Sequence, residues 1–143
     1  MRKFLVLAVS SLLCVLVFTT VVLARESAKW DFKIQGVSII ASEARDEKIY
    51  KAEVFVNNYS TNETYDGYGT VKVRLAVSNP DGGDLLFSGV ESIEIKNGSE
   101  GSVEFKFSNG IRYKYLDYRV QLFAPNNDKF DEDEGNGVRV EWD

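Results

Sequence analysis

The chain is expected to fold as an all-β sandwich, and three features of the sequence carry that expectation. In Thr70–Ser78, Thr-Val-Lys-Val-Arg-Leu-Ala-Val-Ser, the residues Val71, Val73, Leu75 and Val77 recur at every second position with Lys72 and Arg74 between them. That period puts one set on a core face and the other in water. Similar alternating units return along the chain between turns rich in Asn, Gly, Asp and Pro, which is the punctuation of strands. After the opening apolar run no segment carries apolar residues at the helical spacing over ten or more positions, so helix is expected to be nearly absent there.

The 143-residue chain begins Met-Arg-Lys and then runs apolar from Phe4 to Ala24, interrupted only by Ser10, Ser11, Cys14, Thr19 and Thr20. Two readings fit this leader helix. One is a secretory signal peptide cut between Ala24 and Arg25, because Val22-Leu23-Ala24 sets small residues at the −3 and −1 positions. The other is an uncleaved anchor, because about 20 apolar residues span a bilayer. In both, residues 25–143 form a single exported domain, secreted or at the cell surface, that meets a membrane only through the leader. Without Arg2 and Lys3 the formal charge moves from −5 to −7. An acidic domain is repelled by nucleic acid and by anionic lipid, so neither is an expected partner. A domain of this size buries roughly two thirds of its unfolded surface in one core. With the single cysteine in the leader, no disulfide is available to it.

Trp30-Asp-Phe-Lys-Ile34 alternates, and Gly36 then shifts the phase to Val37 and Ile39. A phase slip at a glycine predicts a bulge, so Lys29–Ala41 is a bent first strand, with Ser42–Glu47 as a polar connection. Ile49–Asn58 alternates Tyr50, Ala52, Val54 and Val56 with Lys51, Glu53 and Phe55. Asn57–Gly69 has no apolar period and is a long loop into the Thr70 strand. Asn79-Pro-Asp-Gly-Gly is turn chemistry. Leu85–Phe87 and Val90–Lys96 read as two short strands, Asn97-Gly98 as a tight turn, and Ser102–Ser108 as a strand with Val103, Phe105 and Phe107 on one face. Asn109-Gly110 turns again. Tyr115–Ala124 turns Leu116, Tyr118, Val120 and Leu122 inward, Asn126–Gly137 is an acidic loop, and Val138–Trp142 closes the chain. Seven to eight short antiparallel strands in this length predict an immunoglobulin-like Greek-key sandwich. In that order the Lys51–Val56 strand lies beside Val103–Phe107, with opposite charges meeting across the outer face.

Strand Lys51–Asn58, the following Tyr-Ser-Thr-Asn-Glu-Thr, the strand Val71–Val77, Ile93-Glu-Ile-Lys-Asn-Gly-Ser-Glu-Gly-Ser-Val-Glu-Phe, and Tyr118-Arg-Val leading to Asn127-Asp128, Asp133-Glu134 and Asn136 together resemble the CARDB family, the cell-adhesion-related domain of bacterial and archaeal exported proteins. The resemblance covers nearly all of residues 25–143. It implies a fibronectin-III-like sandwich and an adhesion or accessory role, and transfers no catalytic residue.

The chain contains no histidine, which removes the Ser-His-Asp and Cys-His nucleophile systems and the usual zinc sites. Tyr59, Tyr65 and Tyr68 gather in the long loop with Asn62 and Asp66. Flat rings with hydroxyls, amides and carboxylates suit a sugar-binding or protein-binding surface; rings folded back over the sandwich edge are the structural alternative. Trp30 and Trp142, in the first and last strands, are expected in the core. Asp128, Asp131, Asp133 and Glu134 offer oxygen ligands of the kind calcium takes, without the EF-hand register; a solvated acidic loop guarding the last strand is the alternative. No cofactor other than calcium is expected. Three Asn-x-Ser/Thr sequons, at Asn58, Asn62 and Asn97, fall in expected surface loops. The function these residues predict is an exported, non-catalytic binding or adhesion-type domain engaging a protein or a cell-envelope component. A carbohydrate-binding module using the Tyr59–Tyr68 loop is the alternative, and a small hydrolase is a third.

Overall fold

The computed structural model describes residues 30–60 and 67–143. The leader, its Ala24–Arg25 junction, and Asn62, Tyr65 and Asp66 of the long loop lie outside the described residues.

Among the described residues eight strands form two four-stranded sheets: β1 (Phe32–Ala44), β2 (Glu47–Asn58), β3 (Tyr68–Ser78), β4 (Leu85–Lys96), β5 (Glu100–Asn109), β6 (Tyr115–Phe123), β7 (Lys129–Arg139) and β8 (Glu141–Trp142). One sheet runs β5-β2-β1-β8 and the other β4-β3-β6-β7. Among the described residues no helix is long and apolar enough to cross a membrane. The expected inner faces are inner faces: Val71, Val73, Leu75 and Val77 of β3, Tyr50, Ala52, Val54 and Val56 of β2, and Leu116, Val120 and Leu122 of β6 are all fully buried. β1 slips register between Ile34 and Gly36, where the sequence changes phase. Asn97-Gly98 turns with Gly98 at φ 76°, a left-handed conformation that glycine adopts without strain.

Five expectations change. The Ser42–Glu47 connection shrinks to Arg45–Asp46, because β1 and β2 pair down to Ala44 and Glu47 and Arg45 takes the left-handed φ of 60° that a two-residue hairpin loop demands. Leu85–Phe87 and Val90–Lys96 are one strand, since Ser88 and Gly89 pair with Ala76 and Leu75 without a break. A Cβ on Gly89 would lie 2.7 Å from Phe87 Cζ, so the glycine makes room for that ring and does not end the strand. The acidic segment is no loop: Lys129–Arg139 is β7, the edge strand beside β6. The closing strand is divided, with Val138 and Arg139 ending β7 and Glu141 and Trp142 pairing parallel to Ile40 and Ala41 in the other sheet.

The fifth change concerns register. β2 and β5 pair antiparallel as expected, yet Lys51 faces Lys106 and Glu53 faces Glu104, so like charges stand directly opposite. Relief comes from within the strands and from hydroxyls: Lys106 reaches Glu104 at 3.6 Å, and Ser102 Oγ donates to Glu53 Oε1 at 2.8 Å. Exposed pairs of this kind contribute about 0–1 kcal/mol, so the inward valines and aromatics set the register and the charges accommodate it.

Candidate functional site

At the end of the sandwich where β1 and β3 begin, a cleft of about 460 Å³ is lined by Trp30, Tyr68, Thr70, Ala124, Pro125, Asn126 and Phe130. Its floor is aromatic because three strands deliver rings to one place. Trp30 lies against Phe32 with centroids 6.4 Å apart and planes at 14°, and Phe32 meets Phe130 at 5.1 Å. Gly69 permits this packing: a Cβ there would stand 2.6 Å from Trp30 Cζ3 and 2.7 Å from Phe32 Cζ. The polar wall is the β6–β7 turn. Ala124 N–H donates to Asp128 O at 2.8 Å, Asn126 Nδ2 donates to Asp128 Oδ2 at 3.0 Å, and Lys72 Nζ donates to Asn127 Oδ1 at 3.2 Å.

The long loop enters and leaves beside this cleft, and both of its roots are fixed. Tyr59 N–H donates to Asp31 O at 2.7 Å, Ser60 Oγ accepts from Asp31 N–H at 3.0 Å, and Asn97 N–H donates to Gly67 O at 2.5 Å. Asn58 is the pivot. It is 1% exposed, donates through Nδ2 to Ile95 O at 2.7 Å and accepts Ser60 N–H at 2.9 Å. The sequon at Asn58 is therefore not a surface feature: its amide is consumed in tying the loop root to the β4–β5 turn, and a buried amide so paired is costly to expose. Tyr59 and Tyr68, the loop tyrosines within the described residues, are 54% and 51% exposed. Tyr68 lines the aromatic cleft, whereas the Tyr59 hydroxyl accepts from Asn57 Nδ2 at 2.9 Å.

The four carboxylates considered for calcium are not brought together. Asp128 is held in the β6–β7 turn by Asn126. Asp131 and Asp133 lie opposite Leu122 and Val120 on the inward side of β7, and Glu134 lies opposite Arg119 on the outward side. Asp131 Oδ2 accepts Ile34 N–H at 2.9 Å, so the carboxylate bridges the free edge of β1 to the other sheet. Asp133 Oδ2 accepts the Tyr118 hydroxyl at 3.0 Å. Outside, Glu132 gathers Lys129 at 2.7 Å and Arg119; the Lys129 and Arg119 hydrogen bonds hold its carboxyl below the usual range. Among the described residues no group of three or more acidic, His or Cys side chains is placed to hold a metal ion. Charges on both faces of an edge strand do protect it from pairing with another chain, so the guarding role expected of a loop falls to the strand itself.

Burial, and then the Asp133 hydrogen bond, push the Tyr118 hydroxyl up to about 12. A folded value above the unfolded one, near 10, means the neutral phenol is favoured on folding. That contribution is complete below about pH 10 and is lost as pH rises toward 12. The thermal midpoint is expected to fall over this alkaline window, and Tyr118→Phe to flatten the fall while leaving the neutral-pH midpoint lower. Equal slopes in both proteins would refute the assignment.

The opposite end of the sandwich carries a second cleft, about 330 Å³, lined by Arg112, Lys114, Arg139, Val140, Glu141 and Trp142. Tyr50 organises its rear wall, donating through Oη to Ile111 O at 2.7 Å and accepting Tyr113 N–H at 2.9 Å. Both tryptophans thus depart from the expectation of core alone: each packs on the core with one side and lines a cleft with another. Neither cleft was legible in the sequence, because each is assembled from short pieces far apart in the chain.

The two four-stranded sheets define a small β-sandwich, and comparison with solved structures agrees with that fold. No protein-family model matches the sequence, and no curated protein matches it. Among solved structures, the chain superposes on a candidate β-galactosidase of Bacteroides fragilis at TM-score 0.52 and 12% identity, covering 70% of this chain and 15% of that one. It superposes on a calcium-binding mutant of Bacteroides uniformis β-glucuronidase 2 at TM-score 0.51 and 13% identity, covering 77% of this chain and 13% of that one. At such identities the likeness is one of fold. The chain spans less than a fifth of the length of these enzymes, and it is a sandwich domain of the kind they contain.

Proposed function

We propose that the protein is an exported, non-catalytic binding domain whose ligand is a glycan of the cell envelope or its surroundings, held in the aromatic cleft. The carrying observation is the cleft itself, with Trp30, Tyr68 and Phe130 presenting ring surface and Asn126 and Thr70 at its polar rim. Sugar rings offer apolar C–H faces and a fringe of hydroxyls, and aromatic planes beside an amide and a hydroxyl complement both. The solved neighbours named for glycosidase activity support a carbohydrate-related setting for this fold, with the present chain corresponding to a domain a small fraction of their length. The strand order β5-β2-β1 over β4-β3-β6-β7 supports an immunoglobulin-like, fibronectin-III-like sandwich and is compatible with the CARDB resemblance, hence with a surface adhesion role exercised through the glycan.

A glycan array followed by calorimetry tests this. Tyr68→Ala is expected to weaken binding at least tenfold, about 1.4 kcal/mol, with an unchanged thermal midpoint, because half of that side chain is already in water. Trp30→Ala is expected to lower affinity and stability together, since Trp30 also packs on the core. Lost stability with unchanged affinity in Tyr68→Ala would make the ring a structural edge and leave binding to a protein partner elsewhere on the surface.

A further inference from the structure

The second cleft has a chemistry that the rest of the molecule lacks. The chain carries a net charge of −5, yet Arg112, Lys114 and Arg139 converge on one space in which Glu141 is the one acidic residue among the described residues that line it. Among the described residues neither Lys114 nor Arg139 has a carboxylate within 4.0 Å, while Arg112 shares Glu43 at 3.5 Å, and Glu43 is already engaged by Lys48 at 3.0 Å. Three cations against one lining carboxylate and a shared Glu43 leave positive charge in excess, and an oxyanion between the cations relieves their repulsion.

The backbone that carries the cations is held in place. Val140 N–H donates to Lys114 O at 2.9 Å and Trp142 Nε1–H donates to Tyr113 O at 2.9 Å, so the Arg112–Lys114 segment is laced to the β7–β8 crossing. Tyr50 fixes the same segment from behind through Ile111 and Tyr113. The Arg112 guanidinium lies 4.3 Å from the centroid of the Trp142 ring, which orients its fork of donors. Beside the cleft, Tyr115 stands opposite Arg139 in the β6–β7 ladder, has Lys114 Nζ 5.8 Å from its ring centroid, and is 45% exposed. A guanidinium oriented over Trp142, a second guanidinium and an ammonium lining the same cleft, and an adjoining exposed ring fit an acid group carried on a sugar: the cations take the oxyanion and the ring takes the sugar face.

We infer that the Arg112–Lys114–Arg139 cleft is a binding site for the carboxylate or sulfate group of an acidic saccharide. This goes beyond the reading of the aromatic cleft, uses none of its residues, lies at the other end of the sandwich, and stands or fails independently of it.

The test is a nuclear magnetic resonance titration of the protein at fixed ionic strength with a heparin hexasaccharide, hexagalacturonate, neutral cellohexaose and inorganic sulfate. Saturable shifts at the Trp142 indole N–H and the amides of residues 112–114 and 139–141 are expected with one or both acidic sugars, and the pair of them identifies sulfate or carboxylate as the preferred group. Arg139→Gln and Lys114→Gln, both at the surface, are each expected to weaken that binding about tenfold, and Tyr68→Ala to leave it unchanged. No saturable shift at these residues with either acidic sugar would overturn the assignment. So would equal binding of cellohexaose, a response to inorganic sulfate alone, or undiminished affinity in both cleft variants.

Discussion

Val54→Asp is expected to abolish cooperative folding. Val54 is 0% exposed at the centre of the β5-β2-β1 sheet, with Val37 opposite it on one side and Val103 on the other. Neither neighbour offers a hydrogen bond, and the surrounding core is made of valines, leucines, isoleucines and aromatic rings. An ionised carboxylate in such a place costs several kcal/mol even after relaxation, while a domain of this size has a total stability of about 5–15 kcal/mol. The lost valine packing adds to the deficit. Far-ultraviolet dichroism is therefore expected to show no strand signal and no melting transition in the variant. Lys51→Gln, three residues away on the outer face, is expected to stay within about 0.5 kcal/mol of the parent. A folded Val54→Asp protein would mean that the inner and outer faces of β2 had been exchanged.

That prediction is available from the sequence because period two decides a face, and the face decides burial. Thr70–Ser78, Ile49–Asn58 and Ser102–Ser108 could be read for the same reason, and Gly36 announced its bulge by breaking the phase. Period two does not decide which residue of one strand faces which residue of the next, so the meeting of Lys51 with Lys106 was hidden. The strand Lys129–Arg139 was hidden more deeply. Its inward positions hold Asp131 and Asp133, which look like loop residues until the partners that satisfy them, the Ile34 amide and the Tyr118 hydroxyl, come from elements 97 and 15 positions away. The division at Val140 was equally silent, because Val138-Arg-Val-Glu-Trp142 alternates as one strand should while the chain crosses between sheets at its middle.

The sites show the same limit in another form. The Asn57–Gly69 loop was conspicuous by composition, and Tyr68 in it does line a cleft, but the remaining walls come from Trp30, Pro125 and Phe130, whose local patterns say only strand or turn. Arg112, Lys114 and Arg139 were less visible still. Each is an ordinary surface cation in sequence, and it is the β6–β7 ladder, which sets Tyr115 opposite Arg139, with the hydrogen bonds from Val140 to Lys114 and from Trp142 to Tyr113, that brings the three together.

The anchor of that second end is Tyr50, and its removal carries the other large expected effect. The side chain is fully buried, stacks on Phe107 with centroids 5.0 Å apart and planes at 9°, and meets Trp142 edge-on at 5.4 Å. Tyr50→Ala is expected to cost about 3–5 kcal/mol, the range for deleting a buried aromatic ring, as a lower midpoint in urea. Tyr50→Phe separates the hydroxyl from the ring. It keeps the stacking and leaves Ile111 O and Tyr113 N–H without their partner, a loss of about 1–3 kcal/mol. Because those two groups belong to the segment bearing Arg112 and Lys114, the variant is expected to show faster amide exchange at Tyr113 and weaker acidic-saccharide binding while β3 and β6 stay protected. A Tyr50→Phe protein with the parent's midpoint and the parent's exchange at Tyr113 would show that the rings alone hold this end of the sandwich, with the hydroxyl contributing nothing to the placement of the cations.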